Sequence, residues 1–387
     1  MISFNNTENA FKGKSNSDLN RSYWLFKIIG SPPMVKLGAS LGPLALYLGF
    51  RGLIKRTIFK QFVGGETIHD CSEAIARLAK YKIGTILDYS VEGKENEADF
   101  EHCLQETLQT ISKAKGDRNI PFCVFKVTGL ARLAILEKVS AGQKLSAGEQ
   151  EEWQRVTARV SAICMSAREN GQPVFIDAEE SWIQAAIDGL AEVNMQACNR
   201  EKTIVYNTFQ LYRNDRLDFL KKSIAHAKTN GYYLGAKLVR GAYMEKERER
   251  AKKLNYPSPI HNTKEETDRD YDAAVLLCVE NIDMVSLCAG THNEDSSMKL
   301  VKLMMDKNIL PSDHHVYFSQ LLGMSDHISY NLSLNGYNVA KYVPYGPVKE
   351  VLPYLIRRAQ ENTSVKGQTG RELNLIMKEK NRRASAG

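Results

Sequence analysis

The sequence predicts an α/β fold, most simply a (β/α)8 barrel of the TIM type, with a doubly wound open sheet as the competitor. Three observations carry that expectation. From about residue 80 onward, short β-rich runs alternate with longer helix-like segments. Eight such runs can be counted, and several are almost continuously apolar, as strands buried on both faces of a parallel sheet must be. Charged and hydrogen-bonding residues collect at the C-terminal ends of the runs, which in a barrel all face one way and carry the site.

Taken in order, residues 1–78 read as helical with loops and no clear strand. Within them "LGASLGPLALYLGF" (37–50) is uncharged and broken by Pro43. It is short of the roughly 20 residues a membrane span needs, which leaves a buried helix or a shallow interfacial contact. The eight runs follow: "IGTILDYS" (83–90), "FCVFKVT" (122–128), "PVFIDA" (173–178), "TIVYNTFQ" (203–210), "YLGAKLVR" (233–240), "MVSLCAG" (284–290), "HVYFSQ" (315–320) and "VAKYVPY" (339–345). The long, charged gap 129–172 implies extra helices. Residues 366–387 are basic and polar and read as a frayed helix or tail. The predicted organisation is a helical segment 1–78, a catalytic barrel 79–365 and a basic tail 366–387.

Composition bounds the function. The 387 residues are 43% hydrophobic and 25% charged, those of an ordinary globular protein. The net charge of +7 is spread rather than clustered, and no basic run interleaves with aromatics, so no nucleic-acid partner is expected. Seven cysteines without a C-x-x-C pair argue for free thiols in a reducing compartment. The first sixteen residues lack the apolar run of a signal peptide. There is no G-x-G-x-x-G after a strand, no P-loop, no G-x-S-x-G, no H-E-x-x-H and no His/Cys ligand cluster. No metal site is therefore predicted.

The candidate chemistry lies at the ends of the runs. After Pro353, "PYLIRRAQEN" places Tyr354, Arg357, Arg358 and Glu361 at i, i+3, i+4, i+7, one helix face. Such a stripe is normally apolar. Two adjacent guanidiniums are either a solvated face or a two-pronged carboxylate grip, each charge-assisted bond contributing roughly 1.5–3 kcal/mol. Lys126 and Asp177 end neighbouring runs and would pair if buried. In "DAEES" (177–181) the acidic residues also suit a helix start, Glu179 and Glu180 better than Asp177. "KLVRGAYMEKE" (237–247) offers Lys237, Arg240 and a glycine that admits close backbone approach. "THNED" (291–295) could bind a phosphate, although a lone His292 is more often structural.

In their order along the chain, "FKVTGLAR", "DAEES", "YNTFQLY", "GAKLVRGAYMEKERERA", "THNEDS", "YFSQLLGMSDHIS" and "KYVPYGPVKEVLPYLIRRAQENTS" resemble the motifs of the proline dehydrogenase family, over about residues 60–365. The resemblance is to its single-function members. It implies a distorted (β/α)8 barrel with the last helix over the strand ends. It also implies non-covalent FAD, oxidation of L-proline to Δ1-pyrroline-5-carboxylate, and electron transfer to a membrane quinone. That would place the protein in the cytoplasm with peripheral contact at the inner membrane face, through residues 37–54 or the basic tail.

By the same resemblance Arg357, Arg358 and Lys126 grip the proline carboxylate, with Asp177 beside Lys126. Tyr354 and Tyr342 pack on the ring, Leu321 forms its apolar wall, and Glu361 ties down the arginines. Gln210 contacts the isoalloxazine and Lys237 lies near the reactive flavin nitrogen. Arg240, Gly241, Ala242, Thr291, His292 and Asn293 match FAD contacts, and Tyr243 lies under the site. Many bacterial members carry "RLVKGAY" where this chain has "KLVRGAY", its two cations exchanged. Three rival readings are hydroxyproline as substrate, a metal-dependent hydrolase using Asp177 and His292, and a non-catalytic flavin-binding or regulatory protein. Tyr342 is bulky where a 4-hydroxyl would need room.

Overall fold

The computed structural model describes residues 2–31, 33–35, 51–91, 93–364 and 368–385, and the side chains of 51, 53 and 359–369 are not among those described. The apolar stretch 37–50 lies outside them.

Eight strands close into a barrel in sequential order. They are β1 (Ile83–Tyr89), β2 (Phe122–Phe125), β3 (Val174–Ile176), β4 (Val205–Gln210), β5 (Leu234–Val239), β6 (Val285–Gly290), β7 (Val316–Leu321) and β8 (Val339–Tyr345). Successive pairs from β2 to β7, and β1 with β8, are parallel. Every residue of β2, β3, β4 and β8 is buried, which is why these runs read as apolar rather than alternating. Gly235 is obligatory on β5: a Cβ there would lie 2.5 Å from the Val205 carbonyl oxygen and 2.8 Å from the Tyr206 Cα. The run 122–128 leaves the sheet early, because Val127–Gly129 form a 3-10 turn. The gap 129–172 holds extra helices as expected, and they are two, Leu133–Ser140 and Ala147–Glu169. The second opens on a capping box between Ser146 and Glu149.

The chain forms two compact units, 91–319 and a second made of 1–90 with 320–387. The second has its own apolar core. Phe11, Leu19 and Phe26 from the N-terminal helical segment pack with Phe59 and Phe62, with Val351 and Leu355 of helix Val348–Ser364, and with Leu375 and Ile376. Each such side chain contributes about 1.5–3 kcal/mol on burial. The last two belong to an 18-residue helix, Gln368–Ser385, where the basic composition suggests a frayed helix or tail. Glu379 in this helix is fully buried and accepts hydrogen bonds from Arg382 and Arg383, so its charges are paired rather than solvated. Arg383 also donates to the carbonyls of Phe11 and Lys14, tying the helix to the N-terminal segment.

All seven cysteines are free, in keeping with the absence of paired spacing, and all are buried as small apolar residues. No described helix is long and apolar enough to cross a membrane.

Candidate active site

Within unit 91–319 the ends of β2, β3 and β5 bring three charges together. Lys126 follows β2, Asp177 follows β3, and Lys237 lies within β5. Asp177 Oδ1 accepts from Lys237 Nζ at 2.5 Å, and its Oδ2 lies 3.8 Å from Lys126 Nζ. All three side chains are at most 12% exposed. The pair expected between Lys126 and Asp177 is present, but the shorter contact is to Lys237, which sequence spacing gave no means of seeing. Lys237 also lies 5.2 Å from the centroid of the Phe175 ring. Its backbone position pairs with Cys288 on β6, whose thiol burial pushes up to about 11.

Glu179 is the functional neighbour that the sequence reading treated only as a helix-start acid. It is buried, and its carboxylate accepts from the Thr128 backbone N–H (3.0 Å) and hydroxyl (2.5 Å). Those bonds fix the turn after Lys126. The Glu179 carbonyl accepts from Gln210 Nε2 at 2.6 Å, orienting the glutamine that ends β4. Glu180, by contrast, does occupy the N-cap position of helix Ser181–Cys198. The available signal for Glu179 was three acidic or polar residues after a buried strand, which does not say which one turns inward.

Beyond β5, Arg240 is clamped by Asp268 (2.7 Å), Thr291 Oγ1 (2.7 Å) and Ser296 Oγ (3.0 Å), with Tyr271 stacked 4.4 Å from its guanidinium carbon. Burial alone would raise the Asp268 pKa, but Lys264 and Arg240 overcome this and hold it below the ordinary value. Three of the five guanidinium N–H groups are engaged by those side chains. Gly241 adopts φ +144, and a Cβ there would sit 2.4 Å from the Tyr212 ring. Thr291 is buried, and its hydroxyl also accepts from the Asn293 N–H at 3.1 Å. Asn293 in turn caps helix Glu294–Asp306. Ala242, Tyr243 and His292 are half-buried nearby in sequence.

Within the other unit, helix Val348–Ser364 carries the arginine pair, with Pro353 inside it. Arg358 is buried, its guanidinium carbon 5.3 Å from the centroid of the buried Tyr354 ring, and Arg357 is half-buried. Burial of a guanidinium costs heavily unless it is compensated, so Tyr354 and Arg358 do not belong to an ordinary solvated face. Leu321, at the end of β7, packs against the apolar core of this unit, and Tyr342 is buried within β8. Glu361 falls in the same helix, its side chain outside those described.

A cluster of Asp313, His314 and His315 is the one group of potential metal ligands among the described residues. It precedes β7, at the opposite end of that strand from Leu321, and His292 is not part of it. The hydrolase alternative finds no ligand set around Asp177 and His292 among the described residues.

Residues 71–371 match the family model described as proline dehydrogenase. The chain is 35% identical over 326 residues to the carbapenem antibiotics biosynthesis protein CarD of Pectobacterium carotovorum subsp. carotovorum, covering 84% of each. It is 33% identical over 415 residues to the hydroxyproline dehydrogenase of Xenopus laevis, covering 97% of this chain and 89% of that one. Among solved structures, proline utilization A of Bdellovibrio bacteriovorus superposes with a TM-score of 0.74 at 19% identity. The alignment takes in 92% of this chain and 38% of that larger protein, and is a likeness of fold.

Proposed function

The chain belongs to the proline dehydrogenase family, and from that premise we propose that it oxidises L-proline to Δ1-pyrroline-5-carboxylate, the first step of proline catabolism, using FAD and passing electrons to a quinone. The observation that carries the reading is the arginine pair after β8, one guanidinium buried against Tyr354 and its neighbour half-buried. Proline is small, and its carboxylate is its strongest handle. With a ceiling of about 1.5 kcal/mol per heavy atom, its affinity must lean on that anion. Arg357 and Arg358 supply two forks for it, and Lys126 a third cation held by Asp177. Tyr342, Tyr354 and Leu321 provide apolar surface for the ring, and Glu361 restrains the arginines.

The residues around β4, β5 and β6 fit an FAD. Lys237 and Arg240 place two cations on one strand end, suited to a diphosphate and an electron-rich ring. Gln210 and Thr291 add neutral donors, and Gly241, Ala242, Tyr243, His292 and Asn293 complete the set. Asp177 offsets the charge of both lysines, so the pocket is cationic without being uncompensated. When bound, FAD supplies the two-electron acceptor for oxidation of the proline C5–N bond. The protein's own part is to hold the neutral amine form, fix the donor carbon and exclude water. A quinone is then the terminal acceptor, reached by peripheral contact with the membrane from the cytoplasmic side. The helical segment 1–78, the barrel 79–365 and a C-terminal helical segment within 366–387 are the divisions of this reading.

A second substrate has a specific argument, since one full-length relative is named a hydroxyproline dehydrogenase. Tyr342 is 7% exposed in β8, and its bulk favours proline. The test is direct. Purified protein should show a flavin spectrum that bleaches on anaerobic addition of proline, and turnover on proline should exceed that on 4-hydroxyproline. A colourless preparation, or one that proline leaves coloured, would overturn the proposal.

A further inference from the structure

Lys341 is a lysine in the middle of β8 with no exposed surface. No catalytic role above uses it, although Tyr342 beside it is assigned to the substrate. Its ammonium donates to the Met324 carbonyl at 2.5 Å, faces the Leu321 carbonyl at 3.4 Å and pairs with Asp326 at 2.9 Å. Those three partners span the loop that leaves β7, the loop that begins with Leu321.

The same loop is gripped from the chain's two terminal segments. Gln61 Nε2 donates to the Gly323 carbonyl at 2.9 Å. Gln61 Oε1 accepts from Ser22, which also accepts from Lys14, and Lys14 reaches the second oxygen of Asp326 at 3.0 Å. Glu372, in the C-terminal helix, accepts from the Ser325 backbone N–H. The loop needs holding, because Gly323 (φ 75) and Ser325 (φ 48) both lie in the left-handed region. For a non-glycine residue that costs about 1–3 kcal/mol, which only surrounding contacts can sustain. Gly323 also lies so close to the N-terminal segment that a Cβ would meet the Gln61 carbonyl oxygen at 2.2 Å. Tyr342 enters the same construction, its carbonyl accepting from Leu322 at 2.9 Å.

We propose that Lys341 is a positioning residue for the substrate: by binding the Leu321 and Met324 carbonyls it fixes the Leu321 wall and the adjoining Tyr342, and the terminal segments serve this clamp through Lys14, Gln61 and Glu372. The inference rests on the reading of Leu321 and Tyr342 as substrate-lining residues. A buried ion pair is weak evidence for stability, since an apolar replacement of both partners is often neutral or better. Two carbonyl bonds aimed at one loop give the lysine a geometric task that no apolar residue could perform.

The test separates geometry from stability. Lys341→Met should raise the proline KM by about tenfold or more, as displacement of a positioning group does, with the flavin spectrum retained. The double variant Lys341→Met/Asp326→Asn removes both buried charges. It should recover part of the thermal stability, Lys14 having lost its Asp326 partner, yet keep the raised KM. Lys341→Gln retains an N–H donor and should fall between the parent and Lys341→Met. If KM returns to the parental value along with stability in the double variant, the lysine is structural only and the proposal is overturned. Leu321→Ala distinguishes the underlying reading: an unchanged KM there shows that Leu321 does not line the substrate and overturns both. A raised KM in Leu321→Ala with a parental KM in Lys341→Met overturns the positioning role alone. Should Lys341→Met fail to fold, the double variant and Lys341→Gln carry the same comparison.

Discussion

Removing the carboxylate of Asp177 gives the most quantitative test of the site. Asp177 bonds Lys237 at 2.5 Å and lies 3.8 Å from Lys126, with side-chain exposures of 12%, 7% and 11% respectively. Asp177→Ala leaves two ammoniums together in a poorly hydrated place. Breaking a buried pair by removing one partner costs about 3–5 kcal/mol. Unit 91–319 has about 230 residues, for which the unfolding entropy is about 0.5 kcal/mol per kelvin. The expected fall in Tm is therefore about 6–10 °C. Adding Lys237→Met to the same chain removes one stranded charge and should recover about half of that loss or more. The assay is thermal unfolding of the holoprotein in excess FAD, so that cofactor dissociation does not enter the comparison. A single variant within about 2 °C of the parent would refute the premise that these lysines depend on Asp177. A double variant less stable than the single would do the same.

Three further outcomes follow from the same structure. Arg357→Met should raise the proline KM about 10- to 100-fold, the loss of a charge-assisted bond, while bound flavin stays constant; near-parental kinetics would refute the carboxylate grip. Gly241→Ala forces a side chain into φ +144 and to 2.4 Å from Tyr212, so flavin content and Tm should both drop, read by the absorbance ratio of purified protein. Asp326 sets an acid limb. Burial alone would raise its pKa, but Lys14 and Lys341 more than offset that and hold it below its ordinary 3.8, with Glu372 and Tyr330 also near. A depressed folded-state pKa means that the stabilisation is present above about pH 4 and is lost as pH falls through the folded value. Asp326→Asn should flatten the loss of denaturant-measured stability below about pH 4, and an unchanged slope would sink the assignment.

Much of the barrel was legible because its strands are buried on both faces, which turns each into a continuous apolar run. The run ends were less legible. Thr128 belongs to a turn rather than β2 because Glu179, 51 residues away, captures its N–H and hydroxyl. No local pattern carries that information. The arginine stripe was visible because helical spacing alone aligns positions 354, 357 and 358, and burial of Tyr354 and Arg358 agrees with it. The basic composition of the C-terminal helix suggests fraying, but the helix is anchored. Leu375 and Ile376 supply the apolar anchor, and Arg382 and Arg383 turn onto the buried Glu379 rather than into water. Lys341 stood in plain view as the single charge in "VAKYVPY", but its partners come from positions 321, 324 and 326, which proximity along the chain does not suggest.

The interleaving of residues 1–90 with 320–387 dictates an order of events during synthesis. Phe11, Leu19 and Phe26 leave the ribosome before residues 91–319, and their packing partners Val351, Leu355, Leu375 and Ile376 are made after them. At about 5–20 residues per second, that apolar surface stays uncovered for tens of seconds while the contiguous middle of the protein is completed. Newly made chains should therefore depend on holdase chaperones at the N-terminal segment. Deleting the C-terminal helix should send the protein into inclusion bodies rather than merely shorten it.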